Sequence, residues 1–241
     1  MDAGSDLTTQ RRYARLAGLM YLLVLAVDIA GMVVTSRIGG GLGFAERSHQ
    51  IVASESLYRL GLVLGLSGTI ATVLLAAGLY VAVRPIDRDL ALIALLFRVC
   101  EAAVGGAGVA LSFALLQLRT AAAAGGAFTT EQWAAISSTL NGSATTEIAA
   151  IFFSLGSTVF FYLFLRSGYI PVGLSAIGLA GSVLYAVMWV ATLVVPETSS
   201  FGLYASIPIL IAELGGGLWL LIRSIDVSEP RSALALAANP R

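Results

Sequence analysis

The sequence predicts an all-α protein, a polytopic transmembrane helix bundle of six spans with N-terminus and C-terminus cytoplasmic. Three observations predict it. Hydrophobic residues make up 58% of the 241-residue chain and charged residues 12%, with a mean hydropathy of +0.89, which is more apolar surface than a soluble domain of this length can bury or cover. Stretches at 13–35, 57–83, 90–118, 144–165, 170–195 and 203–222 each reach the ~20 residues that cross ~30 Å of hydrocarbon. Arginines collect in alternate connections, as they do in cytoplasmic loops.

Residues 1–12 read as a polar cytoplasmic segment, 13–223 as a single transmembrane domain, and 224–241 as a disordered cytoplasmic tail, polar and alanine-rich. Arg11, Arg12 and Arg15 precede the first apolar run, and no small-residue cleavage site follows promptly, which indicates an uncleaved signal anchor. The Arg11-Arg12 pair is no twin-arginine export signal here, because the run beyond it is long enough to span and others follow. The loop 36–56 opens with Gly39, Gly40, Gly41 and Gly43; no Gly-Lys-Ser/Thr follows, so it reads as a hinge and not as a phosphate loop. Pro85 stops the second span. In the loop 120–143, Thr129-Thr130-Glu131-Gln132 is a capping-box pattern followed by Trp133, Ile136 and Leu140 at helical spacing, which predicts a short helix at the membrane surface. Asn141-Gly142-Ser143 matches a glycosylation sequon and carries little weight. Pro171 belongs to the first turn of the fifth span, Pro196 closes it, and Pro208 inside the sixth should kink that helix.

Orientation follows from Arg11, Arg12, Arg15, Arg84, Arg88, Arg166, Arg223, Arg231 and Arg241 on one side against Arg37, Arg47 and Arg119 on the other. The arginine-rich side is expected to be the cytoplasm, and heavy Ala, Gly and Arg usage without Lys hints at a GC-rich genome.

Composition also excludes chemistry. Net charge is zero, which gives no footprint for nucleic acid. The chain has no Lys and so no Schiff base to retinal or pyridoxal phosphate. Cys100 and His49 are the single cysteine and histidine, so intrachain disulfides, His/Cys zinc sites and bis-histidine haem fail. Any cofactor is otherwise unknown. Cys100 is expected to fill core space and His49 to lie on the surface, with Trp189, Trp219, Tyr13, Tyr169 and Tyr204 acting as packing and interfacial anchors.

Candidate site residues are the ionisable groups inside the spans, since a charge at bilayer depth costs at least a few kcal/mol unless it meets a partner or a wet cavity. They are Asp28, Arg59, Arg98, Glu101, Glu147 and Glu213. Glu101 lies eleven residues beyond Leu90, roughly 17 Å along a helix and close to the midplane, and Glu213 reaches a similar depth. Arg98 and Glu101 share a face with Gly105 and Gly108, and Glu213 shares one with Ser206 and Gly217. The expected pair across helices is Arg98 with Glu213, beside Glu101. Glu55 and Arg59 are four apart in the order that favours a helical ion pair, and Glu147 leads into the polar strip of Ser154 and Ser157. For Arg59 and Glu147, snorkelling to the interface is the simpler reading, and for Asp28 a local hydrogen bond; for Arg98, Glu101 and Glu213, structural pairing and a functional site weigh equally.

Several strings resemble a family of bacterial multi-helix membrane proteins, domain-of-unknown-function family 4386. They are Ala14-Arg15-Leu16-Ala17-Gly18, Ala53-Ser54-Glu55-Ser56-Leu57-Tyr58-Arg59-Leu60-Gly61, Phe97-Arg98 with Glu101, Ser167-Gly168-Tyr169-Ile170-Pro171, and Glu213 with Leu218-Trp219-Leu220-Leu221. The likeness runs from about residue 11 to 223. It implies a one-domain, multi-pass protein of the plasma membrane of a bacterium, and brings no activity, substrate or catalytic residue.

Three functions are compatible with these residues. The buried Arg/Glu cluster could bind or conduct a small ligand, proton or cation from the outer side, because carboxylates outnumber arginines within the spans. The chain could instead be a non-catalytic subunit, chaperone or sensor whose ion pairs only set helix packing, oligomeric through glycine-rich faces such as Gly61 and Gly65. A membrane enzyme acting on a lipid or isoprenoid with carboxylate acid/base chemistry ranks lower; the residues lean against an enzyme without deciding it, and no catalytic residue is assigned. Halves split three and three put Asp28 and Glu147 toward the same side, so the inverted repeat of a transporter is not evident.

Overall fold

The computed structural model describes residues 3–38, 43–125, 128–141 and 144–225, and among them the regular structure is entirely helical. In chain order the helices are α1 (Ala3–Ser36), α2 (Phe44–Ala53), α3 (Glu55–Val83), α4 (Arg88–Ala123), α5 (Thr130–Asn141), α6 (Thr145–Ser167), α7 (Val172–Val194) and α8 (Gly202–Ile222), with a 3-10 turn at Pro196–Phe201 before α8. The six long ones are apolar enough to span a bilayer; α2 and α5 are the short ones.

Short connections make sequence neighbours into antiparallel spatial neighbours, and here they close a ring. Helix α1 packs on α3, α3 on α4, α4 on α6, α6 on α7, α7 on α8, and α8 returns to α1. Six crossings bring both described ends to one face, where Ser224 Oγ donates to the Arg11 carbonyl at 3.1 Å. This terminal face carries Arg11, Arg12, Arg15, Arg84, Arg88, Arg166 and Arg223; the opposite face carries α2, α5, the 3-10 turn, Arg37, Arg47 and Arg119.

The two halves of the ring are packed differently. Leu79, Val83, Phe160, Phe161, Phe164, Ile170, Leu220 and Ile225 are each 2% exposed or less, and all lie in the terminal half. Lipid supplies no hydrophobic drive between helices, so close approach of small residues holds them together. A Cβ on Gly18 of α1 would lie 2.5 Å from Leu221 N and 2.6 Å from Gly217 O of α8, so these two helices cross backbone to backbone. Outward positions such as Met32, Val187, Val194 and Leu203 are exposed, as a lipid-facing surface requires.

Local signals account for the element ends. Asp87 accepts from Leu90 N at 3.1 Å and starts α4, while its other oxygen accepts from Arg166 Nη1 at 3.3 Å on α6. Thr129 and Gln132 exchange the two capping-box bonds of α5, Thr129 N to Gln132 Oε1 at 2.9 Å and Gln132 N to Thr129 Oγ1 at 3.3 Å. Helix α6 ends at Gly168, whose φ of 68° is the left-handed cap conformation. Pro171 caps α7, and Pro196 opens the 3-10 turn.

Some expectations are corrected. The loop 36–56 holds helix α2, which buries Ser48 and Ile51; the expected hinge at Gly39–Gly41 lies outside the described residues, as do Gly142-Ser143 and the tail from 226. Helix α1 begins at Ala3, ahead of the apolar run, and Gln10 within it is buried, donating to the Ala82 carbonyl at 2.6 Å and to Tyr169 Oη at 3.2 Å. Cys100 is exposed and not in the core, since Ala94, Arg98 and Ala102 take the inward face of α4 and turn it outward. Pro208 lies inside helix α8 as expected, and Gly181 of α7 gives it room: a Cβ there would be 2.9 Å from Pro208 Cβ.

Candidate functional site

A cavity of about 330 Å³ occupies the ring in the half toward α2 and α5, and every long helix contributes to its wall. Asp28 comes from late in α1, Ala149 from the start of α6 and Ser206 from the start of α8; Arg98, Glu101 and Glu213 form its floor near mid-depth. Beneath that floor lies the close-packed terminal half.

Arg98 is 2% exposed, and its Nη1 lies 3.0 Å from Glu101 Oε2, one turn on along α4. Gly156 of α6 makes room for the arginine stem, since a Cβ there would stand 2.9 Å from Arg98 Cγ and Cδ. The guanidinium carbon sits 4.8 Å from the centroid of the Phe153 ring, a cation–π distance. The ion pair is close but misaligned: Arg98 Nε and Nη1 and Glu101 Oε2 are buried without a hydrogen-bond partner. Buried polar atoms without partners are costly, and this pair leaves two donors and one acceptor unmet.

Glu213 enters from α8 and its Oε1 accepts from Ser157 Oγ of α6 at 3.3 Å. Asp28 lies against α3, where a Cβ on Gly68 would be 3.5 Å from its Oδ1. Tyr185 of α7 stands edge-on to Phe153 and to Trp189, with centroids 5.9 and 5.8 Å away, and gives the cavity an aromatic wall. Leu210 and Leu214 of α8 also line it while remaining 44% and 40% exposed, so this wall is shared with the lipid side.

The structure brings together Asp28, Arg98, Glu101 and Glu213 of the sequence-predicted residues and leaves Glu55, Arg59 and Glu147 outside the lining. Glu55 and Arg59 form the expected pair at 2.7 Å on the exposed surface of α3. Glu147 is half-buried in the first turn of α6, with Oε2 lacking a hydrogen-bond partner. The direct partner of Arg98 is Glu101 and not Glu213, because one helical turn already joins the first two while Ser157 engages the third. Sequence reasoning missed Tyr21, Phe153 and Tyr185. Tyr21 lies seven residues before Asp28 on one face of α1, a periodicity that could have found it. The tyrosine and phenylalanine on α6 and α7 carry no such signal among many apolar neighbours.

Taken together, a ring of six apolar helices, closed in one half and holding three carboxylates and one arginine around a cavity in the other, defines a polytopic membrane protein with a charged interior. The chain belongs to the family described as domain of unknown function DUF4386, whose model matches residues 16–224. No curated protein and no solved structure matches it.

Proposed function

We propose that this protein binds a small organic cation in the ring cavity, reached from the face that carries α2 and α5, with the arginine-rich terminal face in the cytoplasm. The observation that carries the reading is the charge balance of the cavity wall: Asp28, Glu101 and Glu213 against Arg98 alone. With Glu101 paired to Arg98, two carboxylates remain for a guest, and a low-dielectric interior favours their neutralisation by a bound cation or by protons.

Size and lining support an organic guest. About 330 Å³ lies at the lower end of the range for small-molecule pockets, and Val24, Leu25, Leu75 and Ile209 surround the acids with apolar surface. Among the described residues no three His, Cys, Asp or Glu side chains cluster as a metal site would need, so the acids suit a larger cation better than a chelated metal. Tyr21 and Tyr185 line the cavity, and aromatic rings are suited to an ammonium group. The packed terminal half beneath the floor favours binding over open conduction.

The test is a thermal-stability series on detergent-purified protein with tetraalkylammonium ions of increasing chain length, against choline-sized neutral alcohols. The expected result is stabilisation by one size class of ammonium, about 2.7 kcal/mol when the ligand is at a hundredfold excess over Kd, which disappears in Glu213→Gln. Absence of stabilisation by any ammonium, with Glu213→Gln merely less stable, would leave the charges as structural pairing and sink the reading.

A further inference from the structure

A second cavity, of about 370 Å³, lies on the face that carries α2 and α5, between those helices and the ends of α3 and α4. Its charge is the reverse of the first: among the described residues the lining holds Arg47 and Arg119 with Tyr58 and Asn141, and no carboxylate.

Arg119 is 5% exposed. Its Nη2 donates to Ser137 Oγ of α5 at 3.3 Å, and its guanidinium carbon is 5.6 Å from the ring of Phe44 on α2. Those contacts clamp both short helices to α4, yet neither supplies negative charge. Nη1 is buried with no hydrogen-bond partner, and among the described residues no carboxylate pairs with this arginine. An uncompensated buried cation is costly enough that native sites supply a counter-charge. Here the protein provides the cavity and a second arginine beside it.

Depth identifies the anion. Arg119 lies 29 residues beyond Leu90 along α4, about 43 Å at ~1.5 Å per residue, beyond a hydrocarbon layer of ~30 Å. That is the level of lipid headgroups and of the adjacent water. Guanidinium groups match phosphate oxygens through paired N–H donors. We propose that Arg119 and Arg47 form a phosphate-binding site, occupied by a phospholipid headgroup or by free phosphate, which holds α2 and α5 over the mouth of the bundle.

The experiment uses the full chain purified in detergent, as wild type, Arg119→Gln and Arg47→Gln. Bound phospholipid is counted by native mass spectrometry with a phosphatidylglycerol titration, and inorganic phosphate is titrated separately against chloride at matched ionic strength. Wild type should bind at least one of the two probes, with affinity reduced about tenfold or more in Arg119→Gln and reduced in Arg47→Gln as well. Binding of inorganic phosphate identifies a free-anion site, and binding of lipid alone identifies a headgroup site; both support the proposal. No binding of either probe by wild type, or equal binding by folded variants, overturns it. If Arg119→Gln does not fold, Arg47→Gln decides alone, and unchanged binding there overturns the proposal.

Discussion

Arg98 is the residue on which the cavity floor depends. Buried to 2% exposure, it faces Glu101 at 3.0 Å, and Glu213 enters the same cavity from α8. Removing it leaves carboxylates in a low-dielectric site without their cation and opens a void beside Gly156. Arg98→Ala should therefore lose roughly 3–5 kcal/mol of stability, the usual result of breaking one side of a buried pair. The double variant Arg98→Ala/Glu101→Ala should recover part of that loss, because the stranded charge goes with its partner. Thermal unfolding of the two variants in one detergent checks this, and a double variant that is additive or worse would remove the pair from the account.

At the scale of elements, the crossing of α1 on α8 closes the terminal half. Gly18 has no room for a methyl group: a Cβ would meet backbone atoms of Leu221 and Gly217 at 2.5 and 2.6 Å. Gly18→Ala should cost about 1–3 kcal/mol, the range for overpacking a tight contact. Gly173→Ala in the first turn of α7 is the matched control, since nothing lies within 4 Å of its Cβ position, and it should be neutral or slightly stabilising. Melting temperatures of the two single variants separate the cases; equal shifts would mean that the α1–α8 contact is looser than described. The clamp of α2 and α5 by Arg119 belongs to this scale too, because one side chain there joins three helices.

For the whole molecule, an even number of spans puts both described ends on one face, and arginine asymmetry is the reason for proposing that face as the cytoplasmic one. In a Cys100→Ser background, a cysteine at Arg37 should react with a membrane-impermeant maleimide on intact cells, whereas one at Arg223 should react only after permeabilisation. The reverse pattern would invert the protein and open the acidic cavity to the cytoplasm. Closed packing in one half and a charged cavity in the other give the ring a direction, which a bundle of six uniformly packed helices would lack.

Much of this was legible in the sequence. Span length, proline positions, arginine distribution and the capping box at Thr129 act locally or through the bilayer, so hydropathy and short spacing were sufficient for the six crossings, for α5 and for the exposed Glu55–Arg59 pair. Helix phase likewise marked Arg98, Glu101 and Glu213 as inward-facing. Helix α2 was missed although its ten residues are amphipathic, because Gly43 at its N-cap offers no side-chain capping signal of the kind that marks α5. Which acid meets Arg98, whether Glu147 reaches the cavity, and how Tyr185 and Phe153 form one wall depend on rotation and crossing of separate helices. Those are settled by packing between residues far apart in the chain, such as Gly18 on Gly217 and Gly156 on Arg98. The sequence by itself determined a six-span helical membrane protein with charges inside it; only the tertiary structure gathered Asp28, Arg98, Glu101 and Glu213 into an acidic cavity within the ring and brought Arg47 and Arg119, from two different connections, into a basic one at its mouth, because charge at a site is a sum over elements that the chain order does not bring together.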